Sequence, residues 1–446
     1  MITKIEVDGY RLLHDFRADL GELTVVVGRN ATGKSTLLDF LKFLSQVADR
    51  PVNSALRERG GMVSVLSAVS ECNAVRWRIQ LTWPRNNPVW VTYWPPSDPE
   101  PEFVYEAALT SVPHYGAMPQ LESLRAINPA ATNQAPLDLL QHAQGVAVVY
   151  DSRARQLVPF YPPPSTEQKE LFSSGTPDAG AGPARRTANA GANAFFEMGA
   201  EGPALLLAQV RFPATFYEVS LLRALLCSVA LYSGFSVGQD APLRYQPSDV
   251  EPTTLLMPRG DNLPGVLHTL LATREYGEWA ERLKDFLRVA YQEEFLDLTA
   301  EPAYGAKGKV ALLWHENGME HRPMYTIDLS DGVLRFLCLA AALNNPRPPA
   351  LILIDEPEAG LHPGLLPIVA DMLKAAAEQT QVLVTTHSPD LVNYLPLDDV
   401  AVMIREQNRI RWFRPSSRPT LRKLLESVEG ETLGDLHRSG ELEAIG

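Results

Sequence analysis

At 446 residues the chain is long enough for two or three domains, or for one large α/β body carrying an insertion. Its 45% hydrophobic and 21% charged residues describe a globular protein, and no apolar run approaches the ~20 residues of a membrane span. The formal charge of −13 argues against coating nucleic acid by bulk electrostatics, because phosphate contacts need clustered Lys and Arg; a local basic patch is compatible with it.

The opening stretch, Met1 to Val7, alternates like a strand and lacks the core of a signal peptide. Cys72, Cys227 and Cys338 lie far apart, with no zinc spacing or disulfide framework, so a reducing cytoplasm is the expected setting. Leu23 to Val27 reads as a buried strand, and Gly28-Arg29-Asn30-Ala31-Thr32-Gly33-Lys34-Ser35-Thr36 follows with the phosphate-cradling spacing G-x-x-x-x-G-K-[ST]. Leu37, Leu38, Phe40, Leu41 and Leu44 then recur at helical spacing. Strand, loop and helix together predict a nucleotide site. Gly28 and Gly33 let the backbone wrap phosphates that also meet a helix N-terminus. Lys34 is expected to reach the β/γ-phosphates and the Ser35 hydroxyl to bind Mg²⁺, with Asn30 and Thr36 among the loop residues at the nucleotide.

The character then changes. Val75 to Thr82, Pro88 to Trp94, Phe103 to Leu109 and Val146 to Tyr150 are rich in Val, Trp and Tyr and predict strands of an antiparallel sheet. Their aromatic residues read as sheet core rather than as a base-stacking platform. Pro162 to Gly202, rich in Pro, Ala, Gly and Ser, reads as a linker or insertion. From Pro203 the pattern is helical, over Ala204 to Val210 and Leu221 to Leu231. After Gly260-Asp261-Asn262, with Asp261 or Asn262 as cap, it continues through Leu263 to Leu271 and Trp279 to Tyr291. Val310 to Trp314 and Pro323 to Ile327 flank an Asn317-Gly318 turn and predict a hairpin.

The last third carries the acids. Leu329-Ser330-Asp331-Gly332 heads a helix over Val333 to Leu343, and a small hydroxyl with a glycine at a helix N-terminus suits an anion. Leu351 to Ile354 runs without polar interruption into Asp355 and Glu356, as in a strand buried on both faces whose C-terminal end meets a ligand. One acid can hold Mg²⁺ while its neighbour polarises a water for attack on a phosphate. A helix from Gly364 to Glu378 leads to a second apolar strand that ends on His387, placed to meet a γ-phosphate. A strand pair, Val400 to Ile404 and Ile410 to Phe413, and an amphipathic helix from Leu421 complete the chain.

In this order the residues resemble the ATP-binding-cassette ATPases. Gly28 to Thr36 matches Walker A, and Leu329 to Gly332 resembles the signature, with Asp331 where many members have a second glycine. Leu351 to Glu356 matches Walker B with its catalytic glutamate, Ala359 to His362 the D-loop, and His387 the switch histidine. GYRLLHDF, with Arg11, LSDGVLRFL and DEPEAGLHP are similar to the SMC/RecF-like branch, especially the predicted AAA ATPases allied to the OLD family. Ala31 stands where that branch has a glycine.

The resemblance implies an α/β P-loop NTPase head of ABC type, with an antiparallel β insertion and a helical signature lobe. Its expected divisions are a nucleotide-binding lobe (1–160), a linker (161–202), a helical lobe and hairpin (203–328) and a C-terminal lobe (329–446). It implies ATP and Mg²⁺, with Ser35, Asp355 and a Q-loop glutamine on the metal. That glutamine is Gln209, from its position between lobes, or Gln80. It further implies Arg11 at the nucleotide, Glu356 on the attacking water, and His387 on the γ-phosphate. Ser330 and Gly332 would act in trans on a second subunit's ATP, so a homodimer or higher homo-oligomer is expected. OLD nucleases carry a C-terminal Toprim domain; residues 389–446 are too few for one, so a separate effector chain is expected. The absence of long heptad arms excludes a full SMC architecture. The expected function is an ATP-hydrolysing sensor or motor in anti-phage defence or DNA maintenance. The competing reading is the ATPase subunit of a membrane transporter, against which the large insertion and EAGLHP speak. A third is a scaffold that keeps ATP as a structural ligand.

Overall fold

A computed structural model of the chain describes residues 1–67, 73–83, 102–112, 116–127, 136–143, 146–151, 153–160, 203–211, 213–245, 247–303, 305–319, 321–407, 409–419, 421 and 432–444. The Pro88 to Trp94 strand, the 161–202 linker with Arg185-Arg186, and nearly all of the helix expected from Leu421 lie outside these residues.

Strands β1 (Ile2–Asp8) and β2 (Phe16–Asp19) form a hairpin ahead of β3 (Leu23–Val27), the loop Gly28–Gly33 and the helix Lys34–Val47. Six strands follow: β4 (Ala74–Leu81), β5 (Glu102–Val112), β6 (Gly116–Ile127), β7 (Leu137–Ala143), β8 (Val146–Asp151) and β9 (Gln156–Pro159). They join β1 and β2 in one antiparallel sheet of order β2-β1-β4-β5-β6-β7-β8-β9. The strands β6, β7 and β9 escape a pattern search because they carry Gln, Glu, Arg and His among their apolar residues.

The helix Tyr217–Cys227 stops short of the expected Leu231, and Val229–Tyr232 forms β10 instead. Its four residues pair in parallel with Leu351 to Ile354, so sheet pairing overrides the helical continuation. The short β11 (Ser248–Asp249), β12 (Phe295–Pro302), β13 (Lys309–Glu316) and β14 (Met324–Tyr325) make a small sheet under the helices Leu263–Ala272 and Gly277–Tyr291. The predicted hairpin is its β13–β14 pair, with β12 as an unforeseen third strand. Asn262 precedes its helix without a side-chain cap; its Oδ1 accepts from the Met257 N–H instead. After the helix Asp331–Leu343 come β15 (Leu351–Asp355), β16 (Gln381–Thr385), β17 (Val400–Glu406) and β18 (Arg409–Phe413).

The central sheet has the order β10-β15-β16-β3-β17-β18, parallel except for its last strand. Both of its faces are buried, which is why its strands read as unbroken apolar runs. On one side Val26, Leu351, Leu353 and Leu383 pack with Leu37, Phe40, Leu41 and Leu44 of the helix Lys34–Val47. That helix presses in turn on Ile5, Trp77 and Tyr105 of the antiparallel sheet, with Phe40 and Trp77 edge to face at 6.3 Å. On the other side Val25, Val27, Ile352, Ile354, Val382 and Val384 meet the helices Asp331–Leu343 and Leu366–Ala377.

The turn from β3 into the helix is tight. A Cβ on Gly28 would stand 2.2 Å from the Met403 carbonyl oxygen, so only glycine lets β17 approach the loop this closely. Ala31 adopts φ +62°, the left-handed region where its Cβ is penalised. Ala31→Gly is expected to stabilise the fold by about 0.5 kcal/mol, the left-handed penalty outweighing glycine's extra freedom when unfolded. Urea denaturation measures it, and a net loss of stability would show that Ala31 is unstrained.

Glu122 on β6 is wholly buried. Its carboxylate accepts from the Tyr105 hydroxyl at 2.9 Å and from the backbone N–H groups of Leu206 and Leu207, tying the antiparallel sheet to the segment after the linker. Burial pushes its pKa up to about 7, although all three hydrogen bonds favour the ionised form. Because the folded value is raised, its stabilising effect is complete below about 4.5 and is lost as pH rises through about 7. Thermal midpoints of the wild type should therefore fall relative to those of Glu122→Gln across that window. Parallel profiles would show that Glu122 titrates alike in both states.

Candidate nucleotide site

The candidate groups gather at the carboxyl edge of the central sheet. Lys34, only 5% exposed, donates from Nζ to the carbonyl oxygens of Gly28 at 2.6 Å and Arg29 at 3.0 Å, so its ammonium lies inside the ring of the loop. The Thr32 hydroxyl closes the same ring on the Arg29 carbonyl at 2.9 Å. Asn30 and Ser35 are exposed, and Thr36 is half-buried at the first turn of the helix.

Asp355 ends β15 directly opposite Thr385, the last residue of β16. The Thr385 hydroxyl donates to Asp355 Oδ1, and the Ser35 hydroxyl stands 3.5 Å from the same oxygen. A hydroxyl and a carboxylate side by side are hard oxygen donors of the kind Mg²⁺ takes when phosphates and waters supply the rest. With one carboxylate and one hydroxyl, the pair suits a cation whose other ligands come from a bound molecule.

Glu356 follows with φ +53°, while its N–H remains on the Thr385 carbonyl at 2.9 Å. The turn leaves its side chain exposed, 3.7 Å from His387 Nε2. Burial and the Lys34 ammonium push the His387 imidazole below its ordinary range, against the opposing pull of Glu356 and Glu358, so the ring is neutral near pH 7. The backbone of His387 is held by Glu358. One carboxylate oxygen, Oε1, accepts from the Thr386 hydroxyl at 2.6 Å, the His387 N–H at 3.0 Å and the Ser388 N–H at 3.1 Å. Pattern reading passed over Glu358, whose partners are mostly main-chain groups.

Ser330 is the N-cap of the helix Asp331–Leu343, its Oγ accepting from the Val333 N–H at 3.2 Å. Ser330 is exposed and Gly332 half-buried, and a Cβ on Gly332 would lie 3.5 Å from the Gly360 carbonyl oxygen. The helix start thus borders the Ala359–His362 turn of its own chain.

Three expected residues stand elsewhere. Gln209 donates from Nε2 to the Ala204 carbonyl, and the adjacent Arg211 bonds the Asp49 carbonyl beyond the C-terminal end of the helix Lys34–Val47. Ser35 lies at the other end of that helix, a span of about 20 Å, so Gln209 is not a neighbour of Asp355. Gln80 pairs with Lys4 and Val104 inside the antiparallel sheet. The loop that does border the acids follows β10: Ser233, Gly234 and Phe235 line a cleft with Asp355, Glu356 and Arg335. It went unread because the β10 run fuses with the helix before it. Arg11 takes φ +48° and its Nη1 lies 2.9 Å from Asp39, one helical turn past Ser35. It shares that carboxylate with Arg59 and the Tyr10 hydroxyl, so Asp39 directs it along the helix flank.

Residues 1–87 match the family described as "AAA ATPase domain". Residues 256–393 match "AAA domain, putative AbiEii toxin, Type IV TA system". No curated protein sequence matches the chain. Among solved structures it is similar to an SMC head bound to the C-winged helix domain of ScpA, with TM-score 0.50 and 13% identity over 94% of this chain and 99% of that one. The SMC head domain from Thermotoga maritima gives TM-score 0.41 and 11% identity over 93% and 98%. An SMC head from Pyrococcus furiosus with an extended coiled coil, bound to the C-terminal domain of ScpA, gives 0.46 and 12% over 96% and 99%. At these identities the likeness is one of fold. The chain thus carries two regions that match AAA-family ATPase models, on a fold similar to that of an SMC head.

Proposed function

We propose that the chain is an ATP-hydrolysing, Mg²⁺-dependent head that closes as a homodimer around nucleotide and switches a separate effector. The observation that carries this reading is the meeting of Lys34, Ser35, Asp355, Glu356 and His387 at one sheet edge. Lys34 would exchange its loop carbonyls for the β/γ-phosphate oxygens. Ser35 and Asp355 would hold Mg²⁺, which when bound offsets charge on the β- and γ-phosphates. The exposed carboxylate of Glu356 would orient the attacking water and accept its proton, and the neutral His387 would hold the γ-phosphate. Ser330 and Gly332, at the start of a separate helix, would complete the site of a second subunit. Residues 1–160 would then form the nucleotide-binding lobe, 203–328 the helical lobe and hairpin, and 329–446 a C-terminal lobe with the signature, Walker B and the switch histidine.

Support for the effector is coarser. The toxin-system description of one matching family favours a role beside a defence effector, and the similar SMC head carries a protein partner. Among the described residues no helix is long and apolar enough to cross a membrane.

Glu356→Gln should retain ATP yet lose about 10²–10⁴-fold in hydrolysis rate, the usual cost of removing a general base. Single-turnover phosphate release measures it, and a rate near wild type would assign the water to another residue.

Ser330→Arg should bind ATP through its own loop while blocking closure. Mixed with Lys34→Ala, it gives heterodimers in which one composite site carries both lesions and the other is built from intact parts. Partial hydrolysis in the mixture, absent from either homodimer, is the expected result. Normal hydrolysis by Ser330→Arg alone would reduce Ser330 to a helix cap.

A further inference from the structure

Arg244 is a buried cation in no motif. It sits on the helical turn Pro242–Tyr245, its side chain 7% exposed, and its guanidinium joins two loops. Nε donates to the Val237 carbonyl at 2.7 Å. Nη1 reaches the carbonyls of Leu329 at 2.6 Å and of Thr326 and Ile327 at 3.3 Å, and Nη2 donates to the Asp331 carboxylate. The Thr326 hydroxyl returns a bond to the Arg244 carbonyl at 3.1 Å. Val237 belongs to the loop that leaves β10 past Asp355 and Glu356, whereas 326–331 is the stretch that delivers Ser330. One side chain therefore ties the loop beside the acids to the loop that presents the signature serine.

We infer that Arg244 is the positioning residue of the signature loop, fixing Ser330 in the pose that receives a partner's γ-phosphate, with Asp331 as its counter-ion. This rests on the reading of the site given above. Four carbonyls converge on one guanidinium because the two loops carry no regular structure to satisfy them. Only a planar fork with several donors meets them together; a lysine ammonium offers three donors from one point. The arrangement also accounts for Asp331 where a glycine is expected: the carboxylate neutralises a cation that burial would otherwise disfavour.

The test uses the full chain with Arg244→Gln, Arg244→Lys and Asp331→Ala. Each is followed by thermal melting, titration with a fluorescent ATP analogue, and ATP hydrolysis. Nucleotide affinity should stay within about twofold of wild type, while kcat falls about 10²-fold for both Arg244 variants, the cost of misplacing a group by about 1 Å. Asp331→Ala, at an exposed position, should lose about tenfold, one of several bonds to the guanidinium having gone. Arg244→Gln mixed with Lys34→Ala should recover hydrolysis, because the misplaced loop is presented to the partner. Wild-type kcat in folded Arg244→Gln overturns the inference, as does an equal loss of ATP affinity and rate. Should that variant not fold, wild-type kcat in Asp331→Ala overturns it. The wild type separates the two readings: a wild type without hydrolysis defeats the proposed function, whereas a normal wild type with normal variants defeats only Arg244.

Discussion

The helix Lys34–Val47 is held between two sheets, and that confinement is what the nucleotide site depends on. Its apolar face meets the central sheet through Leu37 and Leu41, and its aromatic residues Phe40 and Phe43 meet the antiparallel sheet at Trp77. A helix clamped on two sides cannot tilt, so its first turn keeps Lys34 inside the loop and Ser35 facing Asp355. The buried strand β3 sets the other end of the loop, between β16 and β17. The chemistry at the edge therefore inherits its precision from packing rather than from the polar groups themselves.

Those polar groups are linked more closely than their separation in sequence implies. Thr385 bonds Asp355, Glu356 rests its N–H on the Thr385 carbonyl, and Glu358 gathers Thr386, His387 and Ser388 on one oxygen. The ends of β15 and β16 thus behave as one unit. The turn that holds Ala359 and Gly360 is joined to His387 through Glu358, and Gly360 in turn lies against the start of the helix Asp331–Leu343.

How much of this was readable in the sequence follows from what each residue bonds to. The P-loop and the paired acids were legible because their chemistry demands particular side chains at fixed spacing, on strands whose apolar runs mark double burial. Gln209 has only its place along the chain to recommend it, and the structure puts it at the far end of the helix, because β10 rather than the linker determines which loop meets the acids. Arg244 and Glu358 left no pattern, since most of their partners are main-chain groups available to any sequence. Strand β6 was hidden by Glu122, a charged residue at a fully buried position that no alternation rule would place there.

The order of the central sheet has a consequence for synthesis. The strand that leads into the nucleotide loop emerges among the first thirty residues, yet its two neighbours, β16 and β17, belong to the last seventy. Ile2 donates to the Gln381 side chain across 379 positions of chain. A growing polypeptide therefore carries the apolar strand β3 without its two sheet neighbours until residues 381–402 have been made. Contacts this distant form slowly and leave unpaired strand edges open to association with other chains. The nucleotide loop is consequently made well before the strands that complete its surroundings.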